Sequence, residues 1–268
     1  MAIFVTELQY TKMIFHYHNT PIHYHKQGTG PVIVMLHGFL ESSTMWQKIA
    51  AVLSKKNTVL MVDLPGFGQS GVPNKTLTME AMATIVCEVL AFENFKSATL
   101  LGHSMGGYVA LAFGELFPKK LDKLILLNSS PTPDSASRKE NRDRALTIID
   151  KNKDAFITMA IGNLFNAEEK SKHTLAIKGL KNEALHISAN GVTAAIKAMR
   201  DRKDRRTLLK NIPCEKHIIA GTLDLIIPHQ DVVAMSKQTN TTLHSIESGH
   251  MSWLTNGPEV ITLLQGIV

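Results

Sequence analysis

Short runs of mostly apolar residues recur along the chain, and each run ends at a glycine or a polar residue. A run that is apolar at nearly every position predicts a strand buried on both faces of a parallel sheet. We predict six such strands. They cover residues 31–36, 58–62, 98–101, 121–127, 216–220 and 242–246.

Helical spacing of apolar residues fills most of the gaps between these strands. The predicted helices cover residues 44–53, 78–92, 105–117, 229–237 and 258–265. Strands that alternate with helices predict βαβ units, so we expect an α/β fold with a mostly parallel central sheet and helices on both faces. Near the N-terminus, residues 13–18 and 22–25 predict a hairpin around Asn19-Thr20-Pro21.

The alternation of strands and helices stops after residue 127. Residues 129–210 contain no buried strand and have the pattern of polar helices, for example at 155–165 and 192–199. We therefore predict a core domain of residues 1–128 and 211–268, interrupted by a helical cap of residues 129–210. Such an insertion is expected above the carboxyl edge of the sheet, where open α/β sheets bind ligands.

The composition is that of a soluble globular chain, with 44% hydrophobic and 19% charged residues. No secretory signal pattern is visible, and no apolar run is long enough to cross a bilayer. Cys87 and Cys214 lack the spacing of a metal site, so we expect two buried thiols in a cytoplasmic protein.

The net charge of +6 is concentrated in one segment, because every arginine lies between residues 134 and 210. A basic surface can attract nucleic acid or anionic lipid. The basic run at 200–206 lacks interleaved aromatic residues, so we expect a solvated helix end with local ion pairs and neither a nucleic-acid nor a membrane partner. A second interpretation is that cap arginines reach the pocket and bind a substrate carboxylate.

Residues 102–106 read Gly-His-Ser-Met-Gly, a G-x-S-x-G motif between a predicted strand and a predicted helix. A serine on such a strained strand-to-helix turn needs small neighbours, which Gly102 and Gly106 supply. We therefore predict Ser104 as the nucleophile. The N-terminus of the following helix points the Met105 N–H at the same place, where it can bind an oxyanion.

On these residues the chain resembles the α/β-hydrolase superfamily, in its esterase-like serine subgroup with a helical cap. The resemblance runs from about residue 22 to the C-terminus and implies the chain order nucleophile, acid, histidine. Residues 218–228 resemble the acid loop and point to Asp224, whereas the rival Asp231 falls within the next predicted helix. Residues 245–253 resemble the histidine loop and point to His250.

The resemblance also implies an oxyanion hole made of the Phe39 and Met105 N–H groups, with His37 and Gly38 supporting the loop. The loop 63–70 resembles one that shapes the floor of the site. We expect no metal and no organic cofactor. The four histidines of the N-terminal hairpin are interpreted as its solvated face and not as a metal site. These residues are His16, His18, His23 and His25.

The expected activity is cleavage of a small carboxylic ester or related acyl compound through an acyl-enzyme. Related enzymes with a similar serine turn leave three alternatives: carbon–carbon bond hydrolysis or pyruvate elimination on a carboxylate-bearing substrate, and perhydrolysis. Met251 follows His250 where carbon–carbon hydrolases often have tryptophan, which weakens that option. A ligand sensor on a hydrolase fold is the alternative from another class. We expect a small-molecule acyl substrate as the partner and leave homo-oligomerisation open.

Overall fold

The computed structural model describes residues 10–268, and eight strands within this range form one sheet. In chain order they are β1 Thr11–Tyr17, β2 Thr20–Gln27, β3 Val32–Leu36, β4 Thr58–Val62, β5 Ala98–His103, β6 Leu121–Leu127, β7 Glu215–Gly221 and β8 Thr242–Ile246. Their order across the sheet is β1-β2-β4-β3-β5-β6-β7-β8. The first two strands pair antiparallel and the other six run parallel, which confirms the mostly parallel sheet.

Each central strand is apolar at successive positions because both faces of the sheet are covered. Along β3, Val34 and Leu36 pack into one core layer, whereas Ile33 and Met35 pack into the other. Side chains of a strand alternate between faces, so a strand covered on both faces loses the polar positions that a half-exposed strand keeps. The continuous apolar runs in the sequence follow from this arrangement.

Helices cover both faces of the sheet, and further helices lie between β6 and β7 in the chain. In chain order they are α1 Gln47–Leu53, α2 Met79–Phe92, α3 Met105–Leu116, α4 Ala136–Gly162, α5 Ala167–Lys172, α6 Thr174–Leu185, α7 Ala189–Arg200, α8 Arg206–Asn211, α9 His229–Thr239, α10 Ser252–Thr255 and α11 Gly257–Ile267. Residues of α1 and α11 share one core layer, and residues of α2 and α3 share the other. The predicted helices on both faces are therefore present.

The N-terminal hairpin differs from the prediction in two respects. Its turn consists of His18 and Asn19, both with positive φ (43° and 67°), while Pro21 already belongs to β2. A two-residue turn with left-handed residues matches the twist of the strands. His25 is buried at 7% exposure, with its ring 4.5 Å from that of Tyr10, so it does not lie on a solvated face. Between residues 10 and 268, no cluster of three His, Cys, Asp or Glu residues is arranged to hold a metal ion.

Every regular element between β6 and β7 is a helix, and we call α4 to α8 the helical insertion. Helix α4 is interrupted at Asn152, whose φ of −157° is non-helical and whose side chain accepts from the Ala155 N–H at 3.0 Å. The division into a core of 1–128 and 211–268 and a cap of 129–210 stays a prediction, and its first nine residues lie outside the described range. None of the helices described is both long and apolar enough to cross a membrane.

Candidate active site

Ser104 lies at the junction of β5 and α3 with φ 48° and ψ −112°, a conformation that side-chain-bearing residues rarely adopt. A hydrogen bond fixes the turn to the end of β6, because the Ser104 N–H donates to the Leu127 carbonyl at 3.0 Å. A Cβ on Gly102 would lie 2.4 Å from the Gly106 backbone, and one on Gly106 would lie 2.1 Å from the Leu36 carbonyl oxygen. The two glycines of the motif are therefore required by close backbone approach.

Ser104, His250 and Asp224 lie in one hydrogen-bonded series. Nε2 of His250 lies 3.0 Å from Oγ of Ser104, and Nδ1 of His250 lies 2.8 Å from Oδ2 of Asp224. The histidine and the aspartate are buried, and Ser104 is partly exposed. The rival acid Asp231 lies on α9 and is exposed to solvent. The structure thus brings together the three side chains that the sequence singled out.

The hydrogen bonds of Asp224 favour its ionised form. Its Oδ1 accepts from the backbone N–H groups of Ile226 (2.8 Å) and Ile227 (2.9 Å). Burial alone raises the pKa of Asp224, but the neighbouring His250 and these hydrogen bonds outweigh it and hold the pKa below its usual range. The carboxylate is thus charged and oriented toward the imidazole.

Asn128 is a site residue that the sequence did not reveal. It follows β6 directly, has a φ of 46°, and is buried. Its Nδ2 donates to Oδ2 of Asp224 at 3.0 Å and to the carbonyl of Gly249 at 3.2 Å. The one available signal is its position, a polar residue at the carboxyl end of a buried strand and next to the acid loop in the sheet.

His37 follows β3 directly, and both nitrogens of its ring form hydrogen bonds with backbone groups. Its Nδ1–H donates to the Gly38 carbonyl at 2.7 Å, and its Nε2 accepts from the Leu64 N–H at 2.9 Å. One donating and one accepting nitrogen define a neutral imidazole. Burial lowers the pKa of His37, in agreement with this hydrogen-bonding pattern. A Cβ on Gly38 would lie 2.4 Å from a carboxylate oxygen of Glu41, so a larger residue here would displace the Glu41 side chain.

Phe39 and Met105 are the two residues whose backbone N–H groups are predicted to bind an oxyanion. Phe39 follows Gly38 and lines the cavity in front of Ser104, and Met105 is the first residue of α3. Within residues 10–268, neither backbone N–H donates to another protein group. Neither N–H group is therefore occupied by a protein acceptor from this part of the chain.

A second buried carboxylate–imidazole pair, absent from the sequence predictions, lies beside the first. Oε2 of Glu41 lies 2.9 Å from Nδ1 of His103, and both side chains are almost completely buried. His103 is the residue before Ser104, and its Nε2 lies 3.0 Å from the carbonyl oxygen of His250. Burial alone lowers the pKa of His103, but Glu41 outweighs it and raises the pKa above the ordinary value.

A cavity of about 360 Å³ lies in front of Ser104, between the sheet edge and the helical insertion. Much of its wall is apolar. Its apolar side chains include Phe39, Tyr108, Phe156, Leu164, Ile196 and Met199. Arg138 and Arg142 of α4 add positive charge to the lining. Arg142 is paired with buried Asp134 at 2.7 Å, whereas Arg138 donates to the Ile226 carbonyl and has no carboxylate within 4 Å among the described residues.

The basic run at 200–206 only partly follows its prediction. Arg200 and Arg206 form surface pairs with Asp201 and Asp204, as expected. Arg202 and Arg205 are instead buried, at 5% and 2% exposure. Each of the two guanidinium groups is paired with at least one carboxylate, and Arg202 also donates to the carbonyls of Thr132 and Met199. Arg202 meets Asp134 at 2.7 Å, and Arg205 meets Glu80 at 2.5 Å and Glu115 at 2.8 Å.

Residues 31–257 match the family model of the alpha/beta hydrolase fold. The chain belongs to the alpha/beta hydrolase family. It is 31% identical over 215 residues to the pimeloyl-[acyl-carrier protein] methyl ester esterase of Pseudoalteromonas atlantica, which covers 75% of this chain and 79% of that protein. The structure of a thermophilic esterase from Thermogutta terrifontis superposes with a TM-score of 0.88 at 29% identity, covering 96% of this chain and 97% of that one.

Other relatives match over shorter lengths. An uncharacterized protein of Mycobacterium bovis is 37% identical over 102 residues, which are 38% of this chain and only 30% of that protein. The shared part of such relatives is thus less than half of either molecule, and it supports the family membership alone.

Proposed function

We propose that the protein is a serine hydrolase that cleaves small carboxylic esters through an acyl-enzyme. The observation that carries the proposal is the hydrogen-bonded series Ser104–His250–Asp224, with separations of 3.0 and 2.8 Å. The same three groups perform acyl transfer on several unrelated folds, because the chemistry needs a nucleophile, a base within reach and a group that orients the base.

In the proposed reaction, Oγ of Ser104 attacks the ester carbonyl while Nε2 of His250 takes its proton. Asp224 holds Nδ1–H of His250 and stabilises the imidazolium that forms. The free N–H groups of Phe39 and Met105 bind the negative oxygen of the tetrahedral intermediate, and each such donor is worth about 3 kcal/mol in comparable enzymes. His250 then protonates the leaving alcohol, and water releases the acid by the reverse sequence of proton transfers.

The cavity supports a small substrate with an apolar part. Its volume of about 360 Å³ lies at the lower end of ligand-pocket sizes, and aromatic and aliphatic side chains provide much of its wall. Two relatives that match most of this chain are named as esterases, one of them for pimeloyl-[acyl-carrier protein] methyl ester. Both facts favour an ester with a short to medium acyl chain.

The charge at the cavity favours a second candidate, a substrate that also carries a carboxylate. Arg138 lines the cavity without a carboxylate partner within the described part of the chain. A guanidinium in that state binds carboxylates well, because it offers several donors in a planar fork. Carbon–carbon bond hydrolysis and pyruvate elimination act on such substrates, and both remain alternatives to ester cleavage.

The test is turnover of p-nitrophenyl esters from acetate to octanoate by the wild type, by Ser104→Ala and by the matched surface control Ser137→Ala. We expect hydrolysis by the wild type and the control, and none above background by Ser104→Ala. Retained turnover in Ser104→Ala would contradict the assignment of the nucleophile. Tight ligand binding by folded wild type, without turnover of any ester, would support the sensor alternative.

A further inference from the structure

Glu41 and His103 contact three separate loops of the candidate active site. Oε2 of Glu41 accepts from the Gly38 N–H at 2.6 Å, directly before the proposed oxyanion donor Phe39. His103 is the residue before the nucleophile. Its Nε2 reaches the backbone carbonyl of His250 at 3.0 Å. The pair therefore joins the loop after β3, the serine turn and the histidine loop, which are far apart in the sequence.

The contacts of the pair identify its charge state. Nδ1 of His103 faces a carboxylate and its Nε2 faces a carbonyl, and both of these groups accept hydrogen bonds. Burial alone raises the pKa of Glu41, but His103 and the other hydrogen-bonding neighbours outweigh it and hold the pKa below its usual range. Facing an ionised carboxylate and a carbonyl, both nitrogens of His103 donate, which makes it an imidazolium. Glu41 accepts three bonds, from Gly38, His103 and the Nε1–H of Trp253 at 3.2 Å, as an ionised carboxylate does.

Neither group belongs to the proposed proton path. The proton moves between Oγ of Ser104 and Nε2 of His250 while Asp224 orients the imidazole. His103 donates to the backbone carbonyl of His250, and the centroids of the two rings lie 5.3 Å apart. A buried ion pair costs desolvation energy and is often no more stabilising than apolar side chains of the same volume. Stability alone is thus a poor explanation for a buried pair in which both partners bind the backbone of catalytic loops.

We propose that the ionised Glu41–His103 pair positions two loops relative to Ser104: the loop after β3, which carries Phe39, and the loop that carries His250. The inference rests on the proposed function, because the relative position of these loops matters only if Ser104 and His250 react with a substrate. Small displacements of reacting groups are costly, since a misplacement of about 1 Å can lower a rate by about 100-fold.

The first test is Glu41→Gln, which keeps the size of the side chain but removes its charge. A glutamine presents an NH2 group to at least one of the three donors that the carboxylate accepts, so the loops lose a bond. We expect kcat per active site to fall by about 10-fold or more, with KM changed less than about threefold, because cavity contacts with the substrate remain. Active sites are counted by labelling with a fluorophosphonate, which reacts with an activated serine.

Glu93→Gln is the matched control. Glu93 is also a buried, ion-paired carboxylate, which accepts from Tyr24 at 2.5 Å and from Lys26 at 2.5 Å, but it lies outside the site. We expect this variant to lower the melting temperature and to leave kcat per labelled site unchanged. A purely structural role for Glu41 predicts the same behaviour for Glu41→Gln, so the two variants separate the explanations.

His103→Gln and the double variant provide the second measurement, which holds even if Glu41→Gln does not fold. Each single change leaves one buried charge without its partner, so we expect the double variant to be no slower than the slower single variant. The proposal would be overturned if the folded single variants kept kcat per labelled site within about twofold of wild type. It would also be overturned if the loss of kcat in the double variant equalled the combined losses of the two single variants.

Failure of the proposed function gives a different result. If the wild type cleaves no ester but its Ser104 is labelled, the labelling rate replaces kcat in the same comparison. A wild type that is neither labelled nor active would overturn both proposals, whereas normal wild-type turnover with unaffected variants would overturn only this one.

Discussion

The carboxyl edge of the sheet and the helical insertion above it arrange their polar side chains in different ways. At the sheet edge, buried groups bond one another across loops, as His250 does with Asp224 and His103 with Glu41. In the insertion, charged groups mostly pair along the surface, and a few links reach the core. The buried bonds between loops fix the positions of the side chains that they join, whereas exposed ion pairs contribute little to stability. We therefore expect sheet-edge substitutions to change kcat. We expect substitutions in the insertion to change stability or substrate choice, except where the insertion contacts the histidine loop.

The largest effect is expected at the sheet edge, for Asp224→Asn. An amide cannot stabilise the imidazolium and favours the wrong tautomer of His250, so we expect kcat to fall by about 10⁴-fold while the fold remains intact. Steady-state kinetics with a p-nitrophenyl ester measures the loss. Asp231→Asn is the matched control, since this exposed acid was the rival in the sequence. A large loss in Asp231→Asn together with a normal Asp224→Asn would reverse the assignment.

Much of the sheet edge could be predicted from the sequence, because local constraints are strong there. Buried strands must be apolar on both faces, and the serine turn tolerates only glycine at positions 102 and 106. Asp224 and His250 follow strands at positions that the family resemblance identifies. These features depend on neighbouring residues in the chain, and a single sequence displays them.

The remaining site residues could not be predicted, because their partners lie far away in the chain. Glu41 and His103 are 62 positions apart, and Asn128 and Asp224 are 96 apart. No local pattern indicates which buried polar groups will meet. The same limit explains the basic run at 200–206, where local spacing predicted surface pairs for Arg205 but Glu80 and Glu115 of other helices bury it.

Where the loop after β6 meets the insertion, the largest effect is expected on stability, at Asp134. Its buried carboxylate meets Arg142 and Arg202, each at 2.7 Å. Asp134→Asn leaves both cations without their partner, so we expect the free energy of unfolding to fall by about 3 kcal/mol at neutral pH. Urea denaturation measures the loss. Asp204→Asn, which removes an exposed pair with Arg206, is the control and should change stability by less than about 0.5 kcal/mol.

The loss of unfolding free energy in Asp134→Asn should depend on pH. Burial alone raises the pKa of Asp134, but the two arginines outweigh it and hold the pKa below its ordinary value of 3.8. A lowered folded-state pKa stabilises the fold above the unfolded-state value, and this contribution disappears as the pH falls through the folded-state value. The difference between wild type and Asp134→Asn should therefore be constant from pH 7 to 5 and shrink below about pH 4. A difference independent of pH would contradict the ion-pair explanation.

A smaller effect is expected where the insertion meets the histidine loop. Oε1 of Glu169, on α5, accepts from the Gly249 N–H at 2.8 Å, and Gly249 directly precedes His250. Glutamine can keep one of the two hydrogen bonds that Glu169 accepts but turns an NH2 group toward the other donor. We expect Glu169→Gln to lower kcat by about threefold to tenfold, since the loss of one hydrogen bond is worth about 1 kcal/mol.

The control for Glu169 is its neighbour on the same helix. Glu168 is exposed and pairs with Lys172 at 2.6 Å, so Glu168→Gln makes the same chemical change away from the site. Equal kinetics for the two variants would show that the insertion does not influence the histidine loop, which would sharpen the division between the two regions.

The smallest effect is expected on substrate choice, at Arg138. This half-buried cation lines the cavity, and among residues 10–268 no carboxylate lies within 4 Å of it. Its attraction for a substrate carboxylate is screened by water at the cavity mouth, so we expect a contribution of about 1 kcal/mol or less. Arg138→Gln should lower kcat/KM for the p-nitrophenyl monoester of glutaric acid by about threefold relative to the neutral valerate ester. Lys139→Gln removes the same charge from an exposed neighbour on α4 and should leave this ratio unchanged.

If the two variants shift the ratio equally, the effect comes from the overall charge of the insertion, and Arg138 has no specific role in recognition. A shift confined to Arg138→Gln would instead show that the insertion selects substrates through one side chain, while the sheet edge supplies the chemistry.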